Sequence, residues 1–148
     1  MNSEASIEID RPIDEVFEFT TTKVAEWSQI VVEDVLIEKK PGGVGTTFRT
    51  VTADRGQRMV FEGIVAHHDP PKRHTVFMKG QKFDMEVDYL FEDLGGSTRV
   101  TQRTAVTAKG FMKILFALLG KLMAKASCHA ALKELTHLKS VLEAQAPA

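Results

Sequence analysis

Between Val32 and Thr107 the chain passes through six short segments of alternating apolar and polar residues. Beyond Lys109 the alternation stops and an apolar run takes over. A period of two buries one face of a strand, whereas a period near 3.6 buries a stripe of a helix. The chain is therefore predicted to form a run of antiparallel strands closed by one long helix.

The segments before this run are shorter. Ser6-Ile7-Glu8-Ile9 alternates and reads as a first strand. Asp10-Arg11-Pro12 then opens a helix, since proline suits the first helical position and Asp14 and Glu15 lie where the helix dipole favours acids. Ile13, Val16 and Phe17 supply its buried side, and Thr20-Thr21-Thr22 is expected to break it. A short second helix then ends near Trp27 and Ser28. The six strands are placed at Val32 to Lys39, Thr46 to Thr52, Arg58 to His67, His74 to Met78, Phe83 to Glu92 and Thr98 to Thr107. Pro41-Gly42-Gly43, Asp54-Arg55-Gly56 and Asp69-Pro70-Pro71 separate them as turns.

The last two strands fix their own register. Phe83, Met85, Val87, Tyr89 and Phe91 alternate with Asp84, Glu86, Asp88 and Glu92, and Leu94-Gly95-Gly96-Ser97 connects them to the returning strand. One dry face requires odd residues of the first to pair with even residues of the second. Phe91 then faces Val100, Tyr89 faces Gln102, Val87 faces Thr104 and Met85 faces Val106. On the outer side Asp88 meets Arg103 and Glu92 meets Arg99. This register puts Tyr89, Gln102 and Thr104 on an apolar inner face. In a solid core such groups are costly, whereas a cavity holding water or a ligand satisfies them.

The helix is expected from about Phe111 to Glu143, with a break near Gly120. Of the 14 residues from Phe111 to Ala124, 11 are apolar, so this half is apolar on more than one side. The second half carries a narrower stripe of Ala131, Leu135, Leu138 and Leu142. An all-round apolar helix is buried on both sides or meets something further: a ligand, a partner subunit or a membrane surface. The apolar stretch is interrupted by Lys113 and Lys121 and falls short of the roughly 20 residues of a spanning helix.

The 148 residues suit one domain, 1–148, with a sizeable core. Net charge is −1, and no basic stripe carries interleaved aromatics, so a nucleic-acid partner is not expected. The only cysteine, Cys128, is read as a structural thiol, because its neighbour His129 diverges from it by about 100° on a helix. Its solitude and an N-terminus without signal-peptide regions point to the cytoplasm.

Pro12-Ile-Asp-Glu-Val-Phe, Glu26-Trp27-Ser28, Asp69-Pro-Pro-Lys-Arg73 and Gly95-Gly-Ser-Thr-Arg-Val-Thr101, in this order, resemble the START-like superfamily (SRPBCC, Bet v 1-like). Leu132-Lys-Glu-Leu and Leu138-Lys-Ser-Val-Leu-Glu143 resemble its terminal helix. The likeness is strongest to the bacterial polyketide cyclase/dehydrase and lipid-transport branch, and it covers nearly the whole chain. It implies an α+β helix-grip fold: a seven-stranded curved antiparallel sheet around a long C-terminal helix, with two short helices after the first strand and an elongated pocket between sheet and helix. The family hosts carriers, hormone binders, aromatase/cyclases and oxygenase domains, so the fold does not fix the activity.

The expected function is to bind or carry a hydrophobic small molecule, such as a lipid, polyketide or aromatic metabolite. The alternatives are a polyketide cyclase/dehydratase, and an interaction module that dimerises or touches a membrane through Phe111–Met123. Stable membrane insertion is not expected, and a homodimer is a candidate. Strand parity puts Met59, Phe61, Met85 and Phe91 on the pocket wall, and Trp27, Phe48 and Phe77 are further aromatic candidates. Tyr89, Gln102 and Thr104 are the polar contacts. Phe116, Leu119 and Met123 are expected from the helix. No residue set is identified as catalytic, and none implies a cofactor.

His67, His68 and His74 flank the Pro70-Pro71 turn. His67 and His68 point to opposite faces, whereas His67 and His74 can meet across the hairpin. Two ligands do not make a metal site, so no metal is expected. Asp84, Glu86 and Asp88 alternate with apolar residues and belong to the wet face rather than to an acid–base pair.

Overall fold

The computed structural model describes residues 1–146. Residues 147 and 148, the end of the expected 1–148 domain, lie outside the described residues. The element order is β1 (Asn2–Ile9), α1 (Ile13–Thr22), α2 (Val24–Trp27), β2 (Val31–Glu38), β3 (Thr47–Asp54), β4 (Gln57–Asp69), β5 (Arg73–Lys79), β6 (Phe83–Asp93), β7 (Thr98–Ala108) and α3 (Phe111–Ala144). The strands form one seven-stranded antiparallel sheet in the order β1-β7-β6-β5-β4-β3-β2. With α3 across it, this is the expected α+β helix-grip fold.

The three threonines form the last turn of α1, which ends at Thr22 as expected, and the Thr21 and Thr22 hydroxyls donate to the carbonyls of Phe17 and Glu18 one turn back. One local expectation fails. Gly120 does not break α3, whose 34 residues are continuous. A single glycine costs only about 1 kcal/mol against alanine, and the leucines, alanines and lysines around it favour helix.

The β6–β7 register is as expected: Phe91 faces Val100, Tyr89 faces Gln102, Val87 faces Thr104 and Met85 faces Val106. Glu92 and Arg99 form the expected ion pair at 3.0 Å. Asp88 faces Arg103 in the register as expected but forms no ion pair with it. It accepts from Arg73 and Thr75 of β5 instead, while Arg103 turns to Glu4 of β1. Burial raises the Asp88 carboxyl, and the Arg73 guanidinium and Thr75 hydroxyl outweigh it, leaving the group below its ordinary range.

The core is gathered at one end. Ile9, Val16, Phe17, Trp27, Phe91 and Val100 pack against Leu135, Leu138 and Leu142 of the second half of α3. The Trp27 indole N–H donates to the Thr20 carbonyl at 3.1 Å, so its polar atom is satisfied inside the cluster. The first half of α3 is tied down differently. Lys109, just before it, donates to the Gly80 carbonyl and pairs with Asp84 at 2.8 Å. That hydrogen bond and charge hold the Asp84 carboxyl below its ordinary value. Between the two anchorages α3 packs mainly along β1, where Ser127 meets Ser3 at 3.0 Å. Among the described residues no helix is long and apolar enough to cross a membrane.

The uneven core makes a test. Leu138 is fully buried, whereas Leu118 on the same helix is 77% exposed. Leu138→Ala is expected to cost about 2–5 kcal/mol in urea unfolding, and Leu118→Ala less than about 0.5 kcal/mol.

Candidate functional site: the concave face of the sheet

The Ser3–Ser127 contact identifies which face of the sheet α3 covers. Cross-strand partners share a face, so the rows can be followed from there. Ser3 leads through Thr104 and Val87 to Val76 and Val65. Ala5 leads through Gln102 and Tyr89 to His74 and His68. Met85 leads through Met78 and Gly63 to Phe48. Beyond them Phe61 faces Thr50 and Met59 faces Thr52.

Most of the sequence candidates therefore share the concave face: Phe48, Met59, Phe61, Met85, Tyr89, Phe91, Gln102 and Thr104. The Phe48 ring lies flat over Gly63, where a Cβ would overlap it. Phe61 packs beside Gly80 and against Phe83, with ring centroids 5.7 Å apart. Trp27 and Phe91 are consumed by the packed core. Phe77 sits elsewhere. It pairs with Ile64 and Glu86, on the convex side with the solvated acids. From α3, Phe116 and Met123 are half-buried, and Leu119 is 44% exposed.

Two further residues of this face, His68 and His74, were not among the pocket candidates. The β4–β5 register shifts by one between Val65 and His67, which is a β-bulge. Before the bulge odd residues face inward; after it even ones do. His68, not His67, therefore meets His74, with their Nδ1 atoms 3.0 Å apart. Strand periodicity read without a bulge selects the wrong histidine. Phe17 packs against both rings. Gly43, at φ +89, lies on the His68 ring, where a Cβ would come within 2.5 Å of it. Among the described residues no third His, Cys, Asp or Glu joins this pair in a metal-sized cluster.

The polar atoms along the concave face are unevenly satisfied. Thr50 donates to Asp34 at 2.7 Å, and Gln102 reaches Thr104 at 3.4 Å. Thr52 Oγ1 is buried without a partner. Burial pushes the Tyr89 hydroxyl well above its ordinary value, and the negative charges of Glu134 on α3 and Asp34 on β2 add to it. Tyr89 is therefore protonated at neutral pH and can donate. Glu134 accepts from the Ser28 hydroxyl and from the Gln29 backbone N–H, which holds α3 to the start of β2.

The face opens at both ends of β4. One hollow, of about 700 Å³, lies beside His68 and the Lys39–Gly43 turn. The other, of about 630 Å³, is bordered by Met59, Phe61 and the Lys79–Phe83 turn near the start of α3.

Burial, with a smaller effect from His68, lowers His74 to a pKa of about 4. The unfolded chain thus binds a proton near pH 6.5 that the folded chain refuses until about pH 4. Stability from this group is complete above pH 6.5 and falls as the pH drops towards 4. The loss amounts to about 3 kcal/mol at most. His74→Gln is expected to flatten the slope of unfolding free energy against pH in that window; an unchanged slope would show that His74 is not the group responsible.

The model of the family described as polyketide cyclase / dehydrase and lipid transport matches residues 1–143. No curated protein matches the sequence. Among solved structures, a protein of Thermus thermophilus superimposes with a TM-score of 0.81 at 20% identity, covering 97% of this chain and 98% of that one. A START superfamily protein of Mycobacterium smegmatis gives 0.75 at 16% identity, covering 96% and 97%. The Zhui aromatase/cyclase of a Streptomyces species gives 0.70 at 13% identity, covering 97% and 93%. At these identities the structures testify to the fold alone, and the family match, spanning nearly the whole sequence, makes this chain a member of the polyketide cyclase/dehydrase and lipid-transport family.

Proposed function

We propose that the chain binds and carries a neutral, largely apolar small molecule between the concave face and the first half of α3. The observation that supports this most directly is the division of the inner face. Its Phe91–Val100 end is filled by the leucines of α3, whereas Phe48, Met59 and Met85 stay partly accessible although they point inward. Apolar surface left in this condition gains about 25 cal/mol per Å² when a ligand covers it. The likeness to a lipid-transport family and to an aromatase/cyclase supports the same class of ligand.

The polar groups narrow the class. Tyr89 keeps its proton and offers a donor, with Gln102 as its cross-strand neighbour. The nearby charges of Glu134 and Asp34 disfavour a carboxylate at this point. A ketone, ether or hydroxyl oxygen suits it better. The single, unpaired thiol fits a reducing compartment, and we place the protein in the cytoplasm on that ground.

A second reading is favoured by one contact: Tyr89 and the neutral His74 are cross-strand neighbours, the arrangement a cyclase/dehydratase needs to polarise a carbonyl and move a proton. Native mass spectrometry of protein taken gently from its host cells names the ligand. With that compound in hand, Tyr89→Phe separates the readings. A carrier keeps its affinity within a few-fold, and an enzyme loses turnover with little change in binding. Met85→Trp fills the inner face and is expected to abolish the adduct while the fold, followed by circular dichroism, stays intact. A retained adduct would sink the assignment of the site.

A further inference from the structure

We infer that the solvent face of the first half of α3 docks on an anionic lipid surface. Phe111 is 74% exposed, Ile114 59%, Leu118 77% and Leu122 67%. Their spacing of three, four and four residues puts them on one side of the helix. That side is opposite to half-buried Phe116 and Met123, which turn towards the protein. A solvent-facing helix of a monomeric protein normally carries polar residues there.

The charges around the stripe choose its occupant. Lys121 and Lys125 share its side of the helix, Lys113 is exposed nearer the opposite side, and Lys109, paired with Asp84, stands before it. From Leu94 to Lys133 the chain contains no aspartate or glutamate. The next acid, Glu134, is turned inward to Ser28 and Gln29. A second copy bound through the same stripe would form a self-complementary contact. It would set lysines against lysines with no acid of the stripe to neutralise them. An anionic bilayer supplies both an apolar layer for the leucines and phosphates for the lysines. The helix is short of spanning length in its apolar part, so it lies in the interface rather than crossing it.

The surface is independent of what the concave face holds, and its test uses no ligand. The intact chain is mixed with vesicles of phosphatidylcholine containing roughly one-third phosphatidylglycerol, and with vesicles of phosphatidylcholine alone, and sedimented. Binding to the anionic vesicles is expected to exceed binding to neutral ones by about tenfold or more, and to fall in high salt. Lys121→Gln and Lys125→Gln should each weaken it about fivefold. Leu118→Asp should weaken it about tenfold or more. At 77% exposure Leu118 tolerates the change, and an unaltered melting curve confirms that.

Equal sedimentation with both vesicle types, or no sedimentation with either, would overturn the inference. So would a concentration-dependent dimer in analytical ultracentrifugation that Leu118→Asp dissolves, which would assign the stripe to a second copy. None of these results bears on ligand burial, which is read separately from the adduct in native mass spectrometry.

Discussion

Everything in this molecule follows from where the second half of α3 is held. Leu135, Leu138 and Leu142 are completely buried against β1, α1, α2 and the Phe91–Val100 end of the sheet. Polar ties surround them. His137 Nδ1 lies 2.6 Å from the Trp27 carbonyl, Lys139 donates to the Glu8 carbonyl, and Glu143 accepts from the Asp10 backbone N–H. Arg11 closes the end by donating to the carbonyls of Glu143 and Gln145. A 34-residue helix is about 50 Å long, so fixing one half dictates the line of the other. The first half must run across the open part of the concave face. It covers that face along β1 and is latched at its start by Lys109, but it does not fill it.

That division explains why the inner face is chemically mixed. At the packed end the inward residues are aromatic or aliphatic apart from Thr98, whose hydroxyl donates to the Arg11 carbonyl. Further along, the rows contain His68, His74, Tyr89, Gln102 and Thr104. A sheet closed by a tight core would have to pair each of these groups or lose about 1–3 kcal/mol for every one left bare. The chain instead leaves Thr52 Oγ1 unpaired and keeps Tyr89 protonated by burial, helped by the charges of Glu134 and Asp34. The two histidines satisfy one another, and His74 does so as the neutral ring.

The part of this that could be read from sequence was the part governed by strict alternation. The β6–β7 register followed from the alternation of Phe83, Met85, Val87, Tyr89 and Phe91 with Asp84, Glu86, Asp88 and Glu92, broken on the wet side only by Leu90, and with it came the inward Tyr89, Gln102 and Thr104. Partners outside the hairpin did not follow. Arg103 binds Glu4 because β1, some ninety-nine residues away in sequence, is the strand next to β7. The bulge before His67 is invisible to periodicity, since it consists of one residue that belongs to neither face. Parity likewise left Phe77 undecided as a candidate, since an aromatic flanked by Val76 and Met78 gives no polar neighbour from which to tell the faces apart. The all-round apolar character of Phe111–Ala124 was plain, but only the structure separates its inner residues from its exposed ones.

A helix apolar on both faces has no amphipathic reason to fold by itself in water, and isolated helices of this length are marginal. Here the first half is helical because it continues a docked half and is rich in leucine, alanine, methionine and lysine, all good helix formers. Its conformation is thus secured from elsewhere, which frees both faces for contact. The inner side, with half-buried Phe116 and Met123, faces the protein, and Phe48, Met59 and Met85 of the sheet stay partly accessible. The outer face carries Leu118, Leu122, Lys121 and Lys125. A layer one helix thick therefore separates the proposed apolar site from the proposed apolar surface. The Met59–Phe83 hollow opens at the same end, beside the Lys109 latch. A molecule leaving a bilayer at the start of α3 would meet the mouth of the concave face before it met bulk water. This gives the exposed leucines a role that neither core packing nor solubility provides.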